Sequence, residues 1–329
     1  MALVINDTAY AGEAASIMIT RAVAELDTIN KGCIYVIDGI KKEFRIPRLE
    51  VSNFIQHRQA TPTSQGSVTI DGQLLYPKDY SVYIEFNPRD FEAHWFAYQL
   101  SDKLLDRTMP QTAESFMIFQ LMKRVNLFNE KQIWRGRTQY DPANGGVDPT
   151  TKGAPASDAQ YQYFDGLMYK LLVDGSALTV PTPATLTSAN IIAKMFLVMN
   201  LIPEALIDKK GADGVKFLVS KNTKRLYDAA LTALSFKDTQ TTESSKEAFQ
   251  GYELKSLAGL SDDTIIAALA LPDTDSAFWL GLNSKEDEQT VKMSPLQNNS
   301  ELWFVKMLLK ADVNFAWSDQ IVLYTMITL

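Results

Sequence analysis

The run ESFMIFQLMKRVNLFNEKQIWRG, residues 114–136, constrains the fold more than any other stretch of this chain. Its ends carry helix boundaries. Thr108 and Gln111 have capping-box spacing, Pro110 falls in the first turn, and Gly136 suits a left-handed stop. At about 100° per residue, Met117, Ile118, Leu121, Met122, Val125, Phe128 and Ile133 form one broad apolar stripe. Phe116, Leu127 and Trp134 gather on the opposite side, among Lys123, Glu130 and Lys131. A helix on the surface of a self-contained globule needs one apolar stripe. This helix has two, so its second face requires a covering of its own, supplied by the same chain or by a neighbour.

Composition narrows the classes available. With 329 residues, 46% hydrophobic and 22% charged, the chain has room for two domains, or one with extensions. One cysteine, Cys33, excludes an intramolecular disulfide framework. The start, MALVINDTAYAGE, lacks the basic and apolar regions of a secretion signal. The longest apolar run, TIIAALALP (264–272), is half the length of a membrane span. Net charge is −7 and the basic residues are scattered, which argues against a protein that grips nucleic acid through a basic stripe.

Along the chain, residues 9–29 read as a helix with little nearby to pack on, and hence as an arm. Asp38-Gly39 in CIYVIDGIKKEFRI and Asp71-Gly72 in SVTIDGQLLY each separate two β-prone runs, predicting tight type I′ hairpins. With SVYIEF (81–86), residues 44–88 read as long strands joined by polar turns, holding too few apolar groups for a core of their own. A Gly-, Pro- and Asp-rich loop covers 137–160. Thereafter the pattern turns to α/β. A buried helix is expected in TSANIIAKMFLVMNLIPEALI, a strand in VKFLVS and an amphipathic helix from about Asn222. Strands follow in GYELKSLAGL and DDTIIAALAL, then a β-rich finish in AFWLGL, ELWFVKMLLKADVNFAW and QIVLYTMITL.

Residues capable of chemistry are sparse. His57 lies in the polar hairpin and His94 between aromatics; with one cysteine they make no zinc cluster. Asp273, Asp275 and Glu286-Asp287-Glu288 lack the ligand spacing of a calcium loop. Gly211 and Gly214 precede a strand, the reverse of the order a phosphate-binding loop needs. No nucleophile elbow or dinucleotide fingerprint occurs.

The order of elements resembles that of tailed-phage major capsid proteins of the HK97 type. The residues that carry the resemblance are the helix at 111–135, NLIPEALI followed by VKFLVSKNTKRLYDAAL, GYELKSLAGLSDDTIIAA, and the ending DQIVLYTM. NPRDFEAHWFAYQL (87–100) suggests a branch from Bacteroidetes-infecting phages. The resemblance implies an α+β fold divided into an N-terminal arm (1–43), an E-loop hairpin (44–88) and a P-domain with its spine helix (89–165). An A-domain (166–275), P-domain closing strands (276–316) and a final A-domain strand (317–329) complete it. It implies a shell protein with no enzymatic activity and no cofactor or metal, assembling with itself into hexamers and pentamers of an icosahedral head. Phe116, Leu127 and Trp134 would then meet a neighbouring subunit. Other implied partners are a portal protein, separate scaffolding or decoration proteins, and packaged double-stranded DNA held by weak non-specific contact; no membrane is involved. The protein would be made in the host cytoplasm and end in the virion. Because some relatives carry a cleaved scaffolding region ahead of the arm, scaffolding is expected here as a separate or processed piece. Lys78 stands near the position of a cross-linking lysine in the family's namesake, and reads as a solvated turn lysine. The alternatives are an encapsulin-type compartment shell and, from another class, a metal-independent α/β enzyme.

Overall fold

A computed structural model describes residues 8–10, 26–51, 55, 57–58, 67–87, 113–138, 163–210, 214–233, 247–283, 291–296 and 302–327, with backbone alone at 8–10, 50–51, 68, 113–120, 205, 209–210 and 291–295. In chain order its elements begin with β1 (Thr8–Tyr10), α1 (Asp27–Asn30), β2 (Tyr35–Ile37), β3 (Phe44–Arg45), β4 (Arg48–Val51), β5 (Val68–Asp71), β6 (Leu74–Leu75) and β7 (Lys78–Phe86). Next come α2 (Ala113–Arg135), α3 (Leu167–Asp174), β8 (Leu178–Thr179), α4 (Ile191–Asn200), α5 (Glu204–Lys210), β9 (Val215–Ser220) and α6 (Lys221–Ala233). The rest are β10 (Ala248–Phe249), β11 (Tyr252–Leu257), β12 (Ile265–Leu269), β13 (Phe278–Leu282), β14 (Val291–Pro295), β15 (Trp303–Phe315), a 3₁₀ turn (Ser318–Gln320) and β16 (Val322–Tyr324).

β9 is buried at every position, Lys216 and Ser220 included, so both of its faces are covered. β9 is central in a sheet of order β10-β11-β9-β12-β16-β8. Val215, Phe217 and Val219 point into a core shared with α4, α5 and α6, whereas Leu218 points into a second core on the far side. β12 divides in the same way, with Ile265, Ala267 and Leu269 on one face and Ile266 and Ala268 on the other. The two-residue alternation of a strand thus joins two cores through one sheet.

The second core is shared with another sheet, of order β1-β14-β15-β13-β2, in which β7 also pairs with β15. β15 is the longest strand and organises this sheet. It runs antiparallel to β14 over Trp303–Met307, to β13 over Ala311–Phe315 and to β7 over Trp303–Ala311. The long helix α2 lies against this sheet with α3 beside it. Leu121 packs with Val305 and Phe86, and the Asn129 Oδ1 atom accepts the Tyr80 hydroxyl at 3.0 Å. Gly136 and Gly166 allow α3 to sit so close: the Gly166 N–H donates to the Gly136 carbonyl at 2.7 Å.

Four expectations are corrected here. The helix foreseen over 9–29 is described only at its ends, where 8–10 form a strand and 27–30 a single helical turn. Residues 26–40 are no free arm, because Leu26 and Thr28 are buried and β2 pairs in parallel with β13. The Asp-Gly pairs do not close hairpins. Gly39 does adopt a positive φ of 85°, but the strands flanking it pair elsewhere, β2 with β13 and β3 with β6. Gly72 is needed for a close approach, since a Cβ there would lie 1.8 Å from the Ile46 carbonyl oxygen. The expected hairpin is also shorter than 44–88, because β7 is paired along its whole length with β15. The buried helix expected in TSANIIAKMFLVMNLIPEALI is two helices, with Pro203 starting the second. His94 and the capping residues Thr108, Pro110 and Gln111 lie outside the described residues.

Candidate functional site: the projecting hairpin and the long helix

The second face of α2 is covered by its own chain near the helix end. Trp134 is 0% exposed. Its indole N–H donates to Thr28 Oγ1 at 2.8 Å, its ring meets Phe278 edge-on at 5.6 Å, and Gly259 lies against its Cδ1. One turn earlier Glu130 is 2% exposed and accepts both the Thr28 N–H at 3.2 Å and the Thr28 hydroxyl at 2.5 Å. Burial pushes the Glu130 carboxyl above its ordinary value; the two Thr28 hydrogen bonds and the Lys31 ammonium pull it down, and Asp27 adds to the rise. Arg135 closes the turn by donating to the carbonyls of Gly259 and Leu260. Trp134, expected on an intersubunit face, therefore sits in the subunit's own core. The covering element, α1, lies more than 100 residues away in sequence, beyond the reach of helical periodicity.

α1 spans only the last turns of that face. Leu127 remains 45% exposed. Phe116 belongs to the helix, and its side chain is outside the described residues.

The second candidate surface is the hairpin. β4 and β5 pair antiparallel and place Leu49 directly opposite Ile70. Both are largely exposed, at 57% and 74%, and Ile55 beyond them is 80% exposed. Two cross-strand apolar side chains left open to water form a patch that a single subunit does not use. The root of the hairpin is different. Ile46 and Leu75 are fully buried in a small cluster with Ile40, Trp279 and Ala316. The Arg48 guanidinium lies 4.6 Å from the centre of the Trp317 ring. Two side chains of β15 reach the root directly. Asp312 accepts the Tyr76 N–H and the Lys170 ammonium, each at 2.8 Å, and Asn314 donates to the Leu74 carbonyl at 2.8 Å. Lys78 is exposed at the start of β7, opposite Ala311. Sequence patterns pointed to the hairpin, but Asp312 and Asn314 gave no signal beyond being polar residues in an apolar strand run.

Chemistry-bearing residues do not converge. Among the described residues no group of three His, Cys, Asp or Glu side chains is placed to hold a metal ion, and no helix is long and apolar enough to cross a membrane. Cys33 is buried, and desolvation pushes its thiol up to about 11. His57 is exposed.

No family model and no curated protein matches the sequence. Solved structures do. A chain of the satellite phage P4 procapsid including size determination (Sid) protein is 9% identical, with 95% of this chain and 99% of that chain covered and a TM-score of 0.59. A chain of the native GTA particle capsid is 10% identical over 90% and 89%, with a TM-score of 0.51. One from Microbacterium phage Oxtober96 is 11% identical over 99% and 94%, with a TM-score of 0.50. None of these speaks to the Bacteroidetes branch suggested by residues 87–100, of which only Asn87 is described. Coverage is near-complete in both directions, and at these identities the likeness is one of fold. The chain has the HK97-like α+β fold of phage capsid proteins.

Proposed function

We infer that this chain is a major capsid protein, building an icosahedral head shell from hexamers and pentamers of itself around double-stranded DNA. The observation that carries the reading is the hairpin: its root is embedded in the subunit while Leu49, Ile70 and Ile55 stand in water. An isolated two-stranded hairpin is marginal. Its exposed apolar pair gains a partner when it lies over an adjacent copy, and the open part of α2 around Leu127 is a second surface of that kind. On this reading residues 44–76 act as the E-loop, α2 as the spine helix and the β9-centred sheet with α4 to α6 as the A-domain. The role is structural rather than enzymatic, in a virion, after synthesis in the host cytoplasm. Portal, scaffolding and decoration proteins are the further partners of such a shell. A subunit charge of −7 suits a wall touching packaged DNA only weakly.

The test is electron microscopy of the purified protein beside a Leu49→Thr/Ile70→Thr variant, which removes apolar surface without setting like charges across the strand pair. Wild-type protein should form shells, capsomers or tubes. The variant should remain unassembled with its melting temperature nearly unchanged, because exposed substitutions shift stability by only about 0.5 kcal/mol. Normal particles from the variant would remove the hairpin from the assembly contact. A uniform wild-type monomer under all assembly conditions would sink the shell reading in favour of the enzyme.

A further inference from the structure

We propose that Asp312, acting with Lys170 and Asn314, is a positioning residue that fixes the direction in which the hairpin leaves the subunit, and so sets the curvature of the assembled shell. The inference rests on the shell reading above.

The hairpin is built in two pieces. Its outer ladder pairs Arg48–Val51 with Val68–Asp71, and its inner ladder pairs Phe44–Arg45 with Leu74–Leu75. Between them Ile46 and Pro47 face Gly72 and Gln73, with the Ile46 N–H donating to the Gln73 carbonyl at 2.9 Å. Two residue pairs make up the whole inner ladder, too few to hold a direction without help.

That help comes from β15. Asp312 is 4% exposed and divides its carboxylate: Oδ2 takes the Tyr76 N–H just beyond the inner ladder, and Oδ1 takes the Lys170 ammonium from α3. Lys170 also donates to the Val313 carbonyl, so α3, β15 and the hairpin root meet at one charge pair, its carboxylate buried and its ammonium partly exposed. Asn314, two residues along the same strand face, holds the Leu74 carbonyl while its own Oδ1 accepts the Phe315 N–H. Gly281, opposite Asp312 in β13, leaves the room that Ile40 and Leu75 fill beneath the root. Both clamps act on backbone atoms of the hairpin. They therefore fix where its main chain points rather than which side chains it presents.

Direction matters because the hairpin is a lever. From Ile46 to Val51 the chain extends roughly 17 Å at about 3.3 Å per residue, so a tilt of about 5° at the root moves the outer ladder by roughly 1.5 Å. Close-packed contacts do not absorb such a displacement, and the angle between neighbours changes instead.

The experiment compares wild-type protein with Asp312→Ala and with the milder Asn314→Ala, each read by hydrogen exchange of the unassembled subunit and by particle diameter in cryo-electron microscopy. Tyr324→Phe is the control: it loses the hydroxyl that pairs with Ala184, far from the hairpin. The clamp predicts exchange at the Tyr76 and Ile46 amides at least tenfold faster in Asp312→Ala, together with a broadened or shifted diameter distribution. Asn314→Ala should move both in the same direction by less, and Tyr324→Phe should move neither. Unchanged exchange at the root, or faster exchange with wild-type diameters in both variants, would overturn the proposal. If Asp312→Ala does not fold, Asn314→Ala decides by the same two readouts. A wild-type protein that forms no particles would fail the shell reading and the curvature claim together, while exchange at Tyr76 would still decide the clamp itself.

Discussion

Replacing Trp134 by alanine asks how the long helix is covered, and the structure gives the size of the answer. The side chain is wholly enclosed, with Thr28, Phe278 and Gly259 around it. Truncating a buried tryptophan costs about 3–5 kcal/mol. The lost indole hydrogen bond to Thr28 adds about 1 kcal/mol. For a chain longer than 250 residues each kcal/mol shifts the melting temperature by roughly 2 °C, so a fall of roughly 8–12 °C is expected in the unassembled subunit. Trp134→Phe retains most of the ring contact and gives up the N–H, and should fall by roughly 2–4 °C. Thermal unfolding followed by circular dichroism on the unassembled protein measures both. A Trp134→Ala subunit that melts within 1 °C of wild type while failing to assemble would return this face of the helix to an intersubunit contact, and the enclosure by α1 would be refuted.

Two further predictions concern the same region. The Glu130 carboxyl has its folded pKa raised above the ordinary 4.5, so the folded state holds a proton that the unfolded state has released. Its contribution to stability is full below pH 4.5 and is lost as pH rises through the folded value. Glu130→Gln should therefore flatten the fall in melting temperature from pH 4.5 towards neutrality, and an unaltered pH profile would disprove the assignment. At the α2–α3 junction, a Cβ on Gly166 would lie 2.6 Å from the Gly136 nitrogen and 2.9 Å from the Gln132 carbonyl oxygen. Backbone atoms do not yield as side chains do, so Gly166→Ala should cost about 1–3 kcal/mol in a denaturant titration, and a neutral result would show that α3 shifts freely.

What the sequence revealed and what it hid divide along one physical line. Elements whose evidence is local were legible. VKFLVS reads as a short strand from its β-prone apolar residues, and it lies inside its sheet, buried on both faces. WFVKMLLKADVNF reads as a long strand, and it is the one that joins β7, β13 and β14. Partners chosen at a distance were not legible. The Asp-Gly pairs are a sound local signal for a reversal, yet at Gly72 the missing Cβ serves the approach of the Ile46 carbonyl from the link between β3 and β4.

The long helix shows most clearly why. Periodicity established that α2 carries apolar groups on two sides, and both sides require cover. It assigned Phe116, Leu127 and Trp134 to one face and therefore to one partner. The cover is not uniform along the axis. α1 is a single turn, and it reaches Glu130 and Trp134 but leaves Leu127 open. A helical wheel collapses position along the axis and keeps only angle, so residues that share an angle look equivalent when a short element covers one and misses the next. Glu130 carried the missing signal. A carboxylate at the same angle as Trp134, one turn away, becomes buried only if hydrogen-bond donors come with the element that buries it, and the Thr28 N–H and hydroxyl are those donors. The same reasoning limits the candidate intersubunit face of α2 to the part before Glu130, where α1 supplies neither donors nor cover for Leu127.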